Sequence, residues 1–169
     1  MPGTKGTEYA AYLADLLSAD CVLEMRKYCQ HGHTTTLEHC LAVAHFSFRF
    51  CQRFNLRADV RSIVRGALLH DMFLYDWHIP DDSHKLHGFF HADKALANAK
   101  QYFNINQKEA EIIATHMWPL TLRRIPRHRE AAIVCLVDKA CSLFETFRGR
   151  YSENVLSVDI DSCRHKEST

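Results

Sequence analysis

The sequence predicts an all-α fold in a single domain, a helical bundle, and three observations predict it. Apolar residues recur at helical spacing in nearly every segment. Two pairs, Thr35 with Glu38 and Asn106 with Glu109, have the spacing of a capping box at a helix start. No run alternates apolar and polar residues for long enough to be read as a strand. The 169 residues fit one domain and suffice to bury a proper core.

Taken in order, Tyr9, Tyr12, Leu13, Leu16 and Leu17 define a first helix, and a short second one is expected around Cys21 to Tyr28, broken by His31-Gly32-His33. These two form an expected amphipathic appendage over residues 1–34. Thr35 then starts a long helix running through His39, Phe46 and Phe50, and the main domain is expected over 35–150. The next helix, from about Ala58, places Ile63, Ala67 and His70 on one side. From Met72 to Phe89 turn formers, aromatics and charges replace the pattern, which predicts an irregular loop. A helix from His91 to about Tyr102 follows, then one over Ala110 to His116, ended by Trp118-Pro119. Thr121 to Arg129 is a basic connection, and the last long helix runs from about Glu130 to Phe147. The tail, 151–169, is polar, with a weak period from Val155 to Ile160, and is expected to fray.

A formal net charge of +1 gives no global basic field, which argues against a long nucleic acid as partner while leaving room for a local phosphate site. Seven cysteines form no CxxC pair and leave one over after any full pairing, as expected of a reduced chain with small buried thiols. The first residues are not followed by an apolar run, and no stretch reaches transmembrane length. A cytoplasmic location without membrane attachment is the resulting expectation. Twelve histidines are many for this length, and some, such as His31, His33 and His165, sit in polar surroundings that suit the surface.

The informative pair is His70-Asp71, which closes the apolar run Gly66-Ala67-Leu68-Leu69. His39 precedes it within a helical stretch, and His91, His116 and Asp138 follow, each in or at the edge of another apolar segment. Imidazole and carboxylate together suit Mn, Fe and Zn, and these six groups are enough for two ions if one carboxylate bridges them. Burying four imidazoles and two carboxylates in a small helical core carries a desolvation cost that coordination removes.

The order His39, His70-Asp71, His91, His116, Asp138 resembles the HD-domain superfamily of metal-dependent phosphohydrolases, in its branch with two metals. The stretch Leu86 to Ala95 looks like the family's segment in which a ligand histidine opens a helix. Ile112-Ile113-Ala114-Thr115-His116 looks like the one in which the next histidine closes a helix, and Val137-Asp138-Lys139-Ala140 matches the terminal aspartate. The resemblance covers Thr36 to Phe147. It implies an HD-type bundle around a dinuclear centre, with His39, His70 and Asp138 on one ion, His91 and His116 on the second, and Asp71 bridging. Two divalent ions are expected, Fe or Mn first, with Zn, Mg or Ni compatible. Many relatives carry a lysine shortly after the HD pair; here the chain runs Asp71-Met72-Phe73-Leu74-Tyr75-Asp76, so that cationic helper is missing or supplied from elsewhere.

The expected activity is hydrolysis of a small phosphate ester or anhydride, a nucleotide or dinucleoside polyphosphate fitting best. Asp71 and Lys94 are the candidate catalytic groups, and Arg123, Arg124, Arg127 and His87 the candidate substrate contacts. Lys139 offers a second cation, Asp76, His84 and His87 are acid-base candidates, and Trp77 and Phe89 offer faces for a base. Two other classes stay open. Some members of the superfamily hold a mixed-valence di-iron centre with this ligand order and act as oxygenases, and a metal-stabilised sensor could bind a nucleotide without turning it over. Ligand order leaves the oligomeric state open.

Overall fold

Helix α4, Val60–Leu69, lies at the middle of the molecule, with every residue from Ser62 to Leu69 buried. Asp59 caps it, its carboxylate accepting the Ser62 N–H at 3.1 Å. In the computed structural model, which describes residues 3–31, 33–75, 87–149 and 151–158, the helices α1 (Gly3–Leu17), α3 (Thr36–Arg53), α5 (His87–Tyr102), α6 (Gln107–Thr115) and α7 (Arg129–Arg148) all pack against α4. A continuous apolar core results, including Leu13, Leu16, Leu37, Ile63, Leu68, Leu69, Ile112 and Val134. Both expected capping boxes form. Thr35 and Glu38 exchange side-chain to backbone bonds at the start of α3, and Asn106 and Glu109 do so at the start of α6.

Polar ties fix how the helices meet. Arg65 on α4 is buried, and its guanidinium bonds Glu109 of α6 at 3.1 Å and Asp15 of α1 at 2.5 Å, so three helices share one satisfied charge network. Asn106 donates to Ser62, joining the starts of α6 and α4. Glu111 of α6 accepts the N–H groups of Arg127 and His128 and pairs with the His128 ring, which fastens α6 to the start of α7. Gly66 faces Ile112 of α6 with no room for a side chain. A Cβ there would lie 2.8 Å from Ile112 Cδ1 and 3.0 Å from both Ile112 Cβ and Cγ2.

Several elements differ from the sequence expectation. The stretch around Cys21 to Tyr28 is a short helix α2 (Asp20–Leu23) followed by a 3-10 turn (Glu24–Lys27). A two-stranded antiparallel hairpin then pairs β1 (Cys29–His31) with β2 (Thr34–Thr35), where no strand was expected. Strands of three and two residues are too short to show alternation; the Thr36 N–H bond to the Tyr28 carbonyl closes the base of the hairpin. Helix α5 begins at His87, so His91 sits in its second turn and does not open it. After Gly149 a short helix α8 (Glu153–Leu156) forms, and Tyr151, Val155, Leu156 and Val158 pack on the core, so this part of the tail is anchored. The cysteines that the structure describes form no disulfide, and no described helix is long and apolar enough to cross a membrane.

Candidate metal centre

The six groups singled out in the sequence arrive from five helices or their ends. His39 comes from the end of the first turn of α3, His70 caps the C-terminus of α4 with Asp71 next to it, His91 lies on α5, His116 caps α6, and Asp138 is in the middle of α7. All six are buried. Their reactive atoms converge. His39 Nε2 lies 3.1 Å from Asp138 Oδ1, and His70 Nε2 is 3.5 Å from the same oxygen. His91 and His116 Nε2 are 2.9 Å apart and lie 3.2 and 3.3 Å from Asp71 Oδ1.

Asp71 divides its oxygens between two groups of imidazoles. Oδ1 faces His91 and His116, whereas Oδ2 faces His70 at 3.4 Å and His39 at 3.8 Å. The donor atoms of His39, His70 and Asp138 all lie within 4.8 Å of one another, as do those of His70, Asp71 and His116. The first set is the one the sequence assigned to one ion. In the second, His70 stands where the sequence had His91, and the His91 to His116 distance adds His91 to that cluster.

The outer faces of the rings are held. His39 Nδ1 lies 2.9 and 3.0 Å from the two Glu145 carboxylate oxygens, His70 Nδ1–H donates to the Ala67 carbonyl at 2.7 Å, and His116 Nδ1–H donates to the Ile113 carbonyl at 2.8 Å. With Nδ1 engaged outward, Nε2 of each ring is turned toward the carboxylates, the arrangement that orients imidazole for a cation. Glu145 in turn accepts from Tyr151 Oη at 2.8 Å. The carboxylates are also held. Gln30 Nε2 donates to Asp71 Oδ2 at 2.5 Å, and Lys139 Nζ donates to Asp138 Oδ2 at 2.7 Å and to the His116 carbonyl at 2.6 Å.

Two atoms test whether this donor set fits a cation. His70 Nε2 and Asp71 Oδ1 are buried and make no hydrogen bond of acceptable geometry. Leaving such groups without a partner in the interior is costly, and a coordinated ion satisfies both. The electrostatics agree. Burial pushes the Asp71 and Asp138 carboxyls up, but His70, His116 and His91 around Asp71, and His39 and His70 around Asp138, hold both well below the usual carboxylate range. Burial pushes His39 and His70 down, yet Asp138 and Glu145 lift His39 to about 10, and the Asp71 charge helps lift His70 well above its ordinary value. His116 is lowered, chiefly by burial. The carboxylate of Asp71 also follows the C-terminal end of α4, whose dipole opposes negative charge there. Ionised carboxylates in this position call for concentrated positive charge, and the residues fit a divalent ion.

Of the other candidates, Lys139 bonds Asp138 at the margin of this cluster. Lys94 is exposed on α5. Arg123 and Arg127 are exposed on the connection before α7, and Arg124 forms a two-pronged pair with Asp93, at 2.6 and 2.8 Å. Asp76, Trp77 and His84 lie outside the described residues, as do the side chains of His87 and Phe89. Two contributors went unread in the sequence. Glu145 lies two helical turns after Asp138 on the same face of α7, a spacing that could have marked it, whereas nothing in the sequence around Gln30 signals its reach across to Asp71.

An all-α bundle that turns four imidazoles and two carboxylates onto one buried point is a helical domain built around a donor set of metal-ligand type. The chain belongs to the HD-domain family: the model of the HD domain matches residues 36–142, which takes in all six of these residues. HD domains are mostly metal-dependent hydrolases. Comparison with curated proteins and with solved structures gives no match.

Proposed function

We propose that the protein is a metal-dependent phosphohydrolase that holds two divalent ions, Fe or Mn, and cleaves a small phosphate ester or anhydride, a nucleotide or dinucleoside polyphosphate. The observation that carries this reading is the division of the Asp71 carboxylate, one oxygen toward His91 and His116 and the other toward His70 and His39. In this reading His39, His70 and Asp138 hold one ion, His91 and His116 the other, and Asp71 both. When bound, the ions supply Lewis acidity, neutralising charge on phosphoryl oxygens and making water more acidic.

The chain's own residues do the rest. Gln30 keeps Asp71 Oδ2 in place through its amide N–H, Glu145 fixes the tautomer and tilt of His39, and Lys139 holds the outer oxygen of Asp138. Burial of the cluster excludes bulk water, which strengthens every charge interaction inside it. Arg123 and Arg127, on the connection that follows His116, together with Lys94 and the Asp93-bound Arg124, are the cations offered to the substrate phosphates. They stand in for the lysine that many relatives carry after the HD pair.

The test is metal analysis of the purified protein, then a screen of nucleotides and dinucleoside polyphosphates with the Mn-loaded protein under nitrogen. Close to two ions per chain and phosphate release without oxygen are expected. Turnover that appears only with iron and air, on a substrate whose phosphorus ester stays intact, would replace hydrolysis by oxygenation. Tight nucleotide binding with no product over hours would replace it by sensing.

A further inference from the structure

Helix α7 has a second face. Within its 20 residues, the charged side chains between Ala131 and Phe147 are Asp138, Lys139 and Glu145, and each is bonded toward the metal cluster. The opposite face carries Leu136, Ala140, Leu143 and Phe147, spaced four, three and four residues apart, the seam spacing of paired helices. This seam is uncovered: Leu136 is 62% exposed, Leu143 61% and Phe147 77%. A surface helix that faces water carries charge on such a stripe; this one carries none.

Two hollows flank the seam. One, of about 610 Å³, lies between α7 and α3 and is lined by Phe46, Phe50, Phe54, Leu136 and Phe144 with Arg49 and Arg53 at its edge. Its wall is preformed, since Phe144 stacks on Tyr151 at 5.1 Å and Phe50 meets Phe54 at 4.8 Å. The other, of about 280 Å³, lies between α7 and the connection that precedes it, and is lined by Trp118, Pro119, Ile125, Ala132 and Leu136. A ridge and matching hollows on one face of one chain are what a two-fold interface requires.

We propose that a second copy of this chain covers this face, the two α7 helices packing antiparallel about Ala140. The register follows from helix geometry. Phe147 lies seven residues beyond Ala140, about 10 Å along the axis, and the two-fold places it at the level of Ile133 and its neighbour Ala132 of the other copy, of which Ala132 lines the smaller hollow. That hollow is large enough for a phenyl ring, which a dry cavity of ~150 Å³ already accommodates. Leu136 of each copy then meets Leu143 of the other, and Ala140 at the crossing lets the backbones approach. The area agrees with this occupant. Taking ~200 Å² for a fully exposed large side chain, Leu136, Leu143, Phe147, Phe46, Phe54 and Phe144 leave roughly 700 Å² of apolar surface uncovered, more than a monomer ordinarily shows and close to the ~800 Å² that each partner gives to a stable interface.

The experiment is sedimentation velocity of the full chain from low to high micromolar concentration, with Leu143→Glu, Phe147→Ala and the conservative Leu143→Met. Wild type and Leu143→Met are expected at twice the chain mass. Leu143→Glu should weaken association by roughly 100-fold or more and Phe147→Ala by about tenfold or more, as for truncation at the centre of an interface, with helical circular dichroism and metal content unchanged. Emission of Trp118 in a Trp77→Phe background should shift to the red in Phe147→Ala. A wild-type monomer throughout the series overturns the proposal, as does a dimer that Leu143→Glu leaves intact. So does a wild-type monomer that binds vesicles of anionic lipid through this face.

Discussion

Gly66 sits one turn before His70, and replacing it with alanine tests how the α4 to α6 approach holds the centre together. The new Cβ would meet Ile112 Cδ1 at 2.8 Å, which a rotation of that side chain could relieve, and also Ile112 Cβ and Cγ2 at 3.0 Å, which are tied to the α6 backbone. Ordinary contact requires α6 to retreat by roughly half an ångström, because Ile112 is fully buried and has no free volume to enter. Alanine gains about 1 kcal/mol over glycine in a helix interior, whereas overpacking costs about 1–3 kcal/mol. The expected net effect is a loss of about 1 kcal/mol, or a fall in Tm of about 2–4 °C for a chain of this length. His116 caps α6 four residues after Ile112, so the retreat also draws its Nε2 from Asp71 and should weaken metal retention. Urea unfolding followed by circular dichroism measures the first effect, and chelator competition the second. Ile112→Val removes the Cδ1 atom and alone should cost about 0.5–1.5 kcal/mol; combined with Gly66→Ala it should cost less than the sum of the two. A Gly66→Ala protein as stable as wild type, with undiminished hold on metal, would refute the reasoning.

Asp71→Ala should remove more metal and activity than Asp138→Ala, since only Asp71 faces both groups of imidazoles; equal losses in elemental analysis would leave the bridging role without support. Glu145→Gln keeps the shape but loses the charge on His39 Nδ1, and metal affinity by chelator competition should fall about 10- to 100-fold, with Tyr151→Phe having a smaller effect. Neutralising Arg123, Arg124 and Arg127 together should raise KM while leaving metal content and Tm nearly unchanged, because exposed charges contribute little to stability; wild-type kinetics in the triple variant would make the cluster a solvated face. Burial raises Glu111, Glu130 and Asp59, but backbone N–H bonds to all three, with His128 beside Glu111 and Lys108 beside the other two, hold them below the ordinary carboxylate range. Depressed folded-state values stabilise the protein above the unfolded values and cease to do so as pH falls through the folded ones. Urea midpoints should therefore hold down to about pH 5 and decline below about pH 4, with a shallower decline in Glu111→Gln.

The helices were legible because their signals are local. Capping pairs, apolar periodicity and the Trp118-Pro119 break each lie within a few residues, and the structure has α3, α4, α6 and α7 close to the expected bounds. The six clustered residues were legible for a different reason, since imidazoles and carboxylates that interrupt apolar runs are conspicuous. Less legible were features too short to show a period or set by distant contacts. The strands of the β1–β2 hairpin have three and two residues, and Gln30 joins the cluster only because folding brings Asp71 to it across 41 positions of chain. The second face of α7 escaped notice because apolar residues on opposite sides of a long helix blur the period that would have marked either side.

The bonds from Gln30 and from Glu145 with Tyr151 come from segments on either side of residues 36–142, the span that defines the family. The candidate donors are internal to that span, as are Ala67, Ile113 and Lys139, which hold His70, His116 and Asp138, while Gln30 and Glu145, which hold Asp71 and His39, lie outside it. Part of what orients the candidate ligands is thus written outside the stretch that contains them. A relative could exchange its flanks, keep all six donors, and hold the same ions at a different affinity or potential. Comparing such proteins by their ligand residues alone would overlook the part in which they differ.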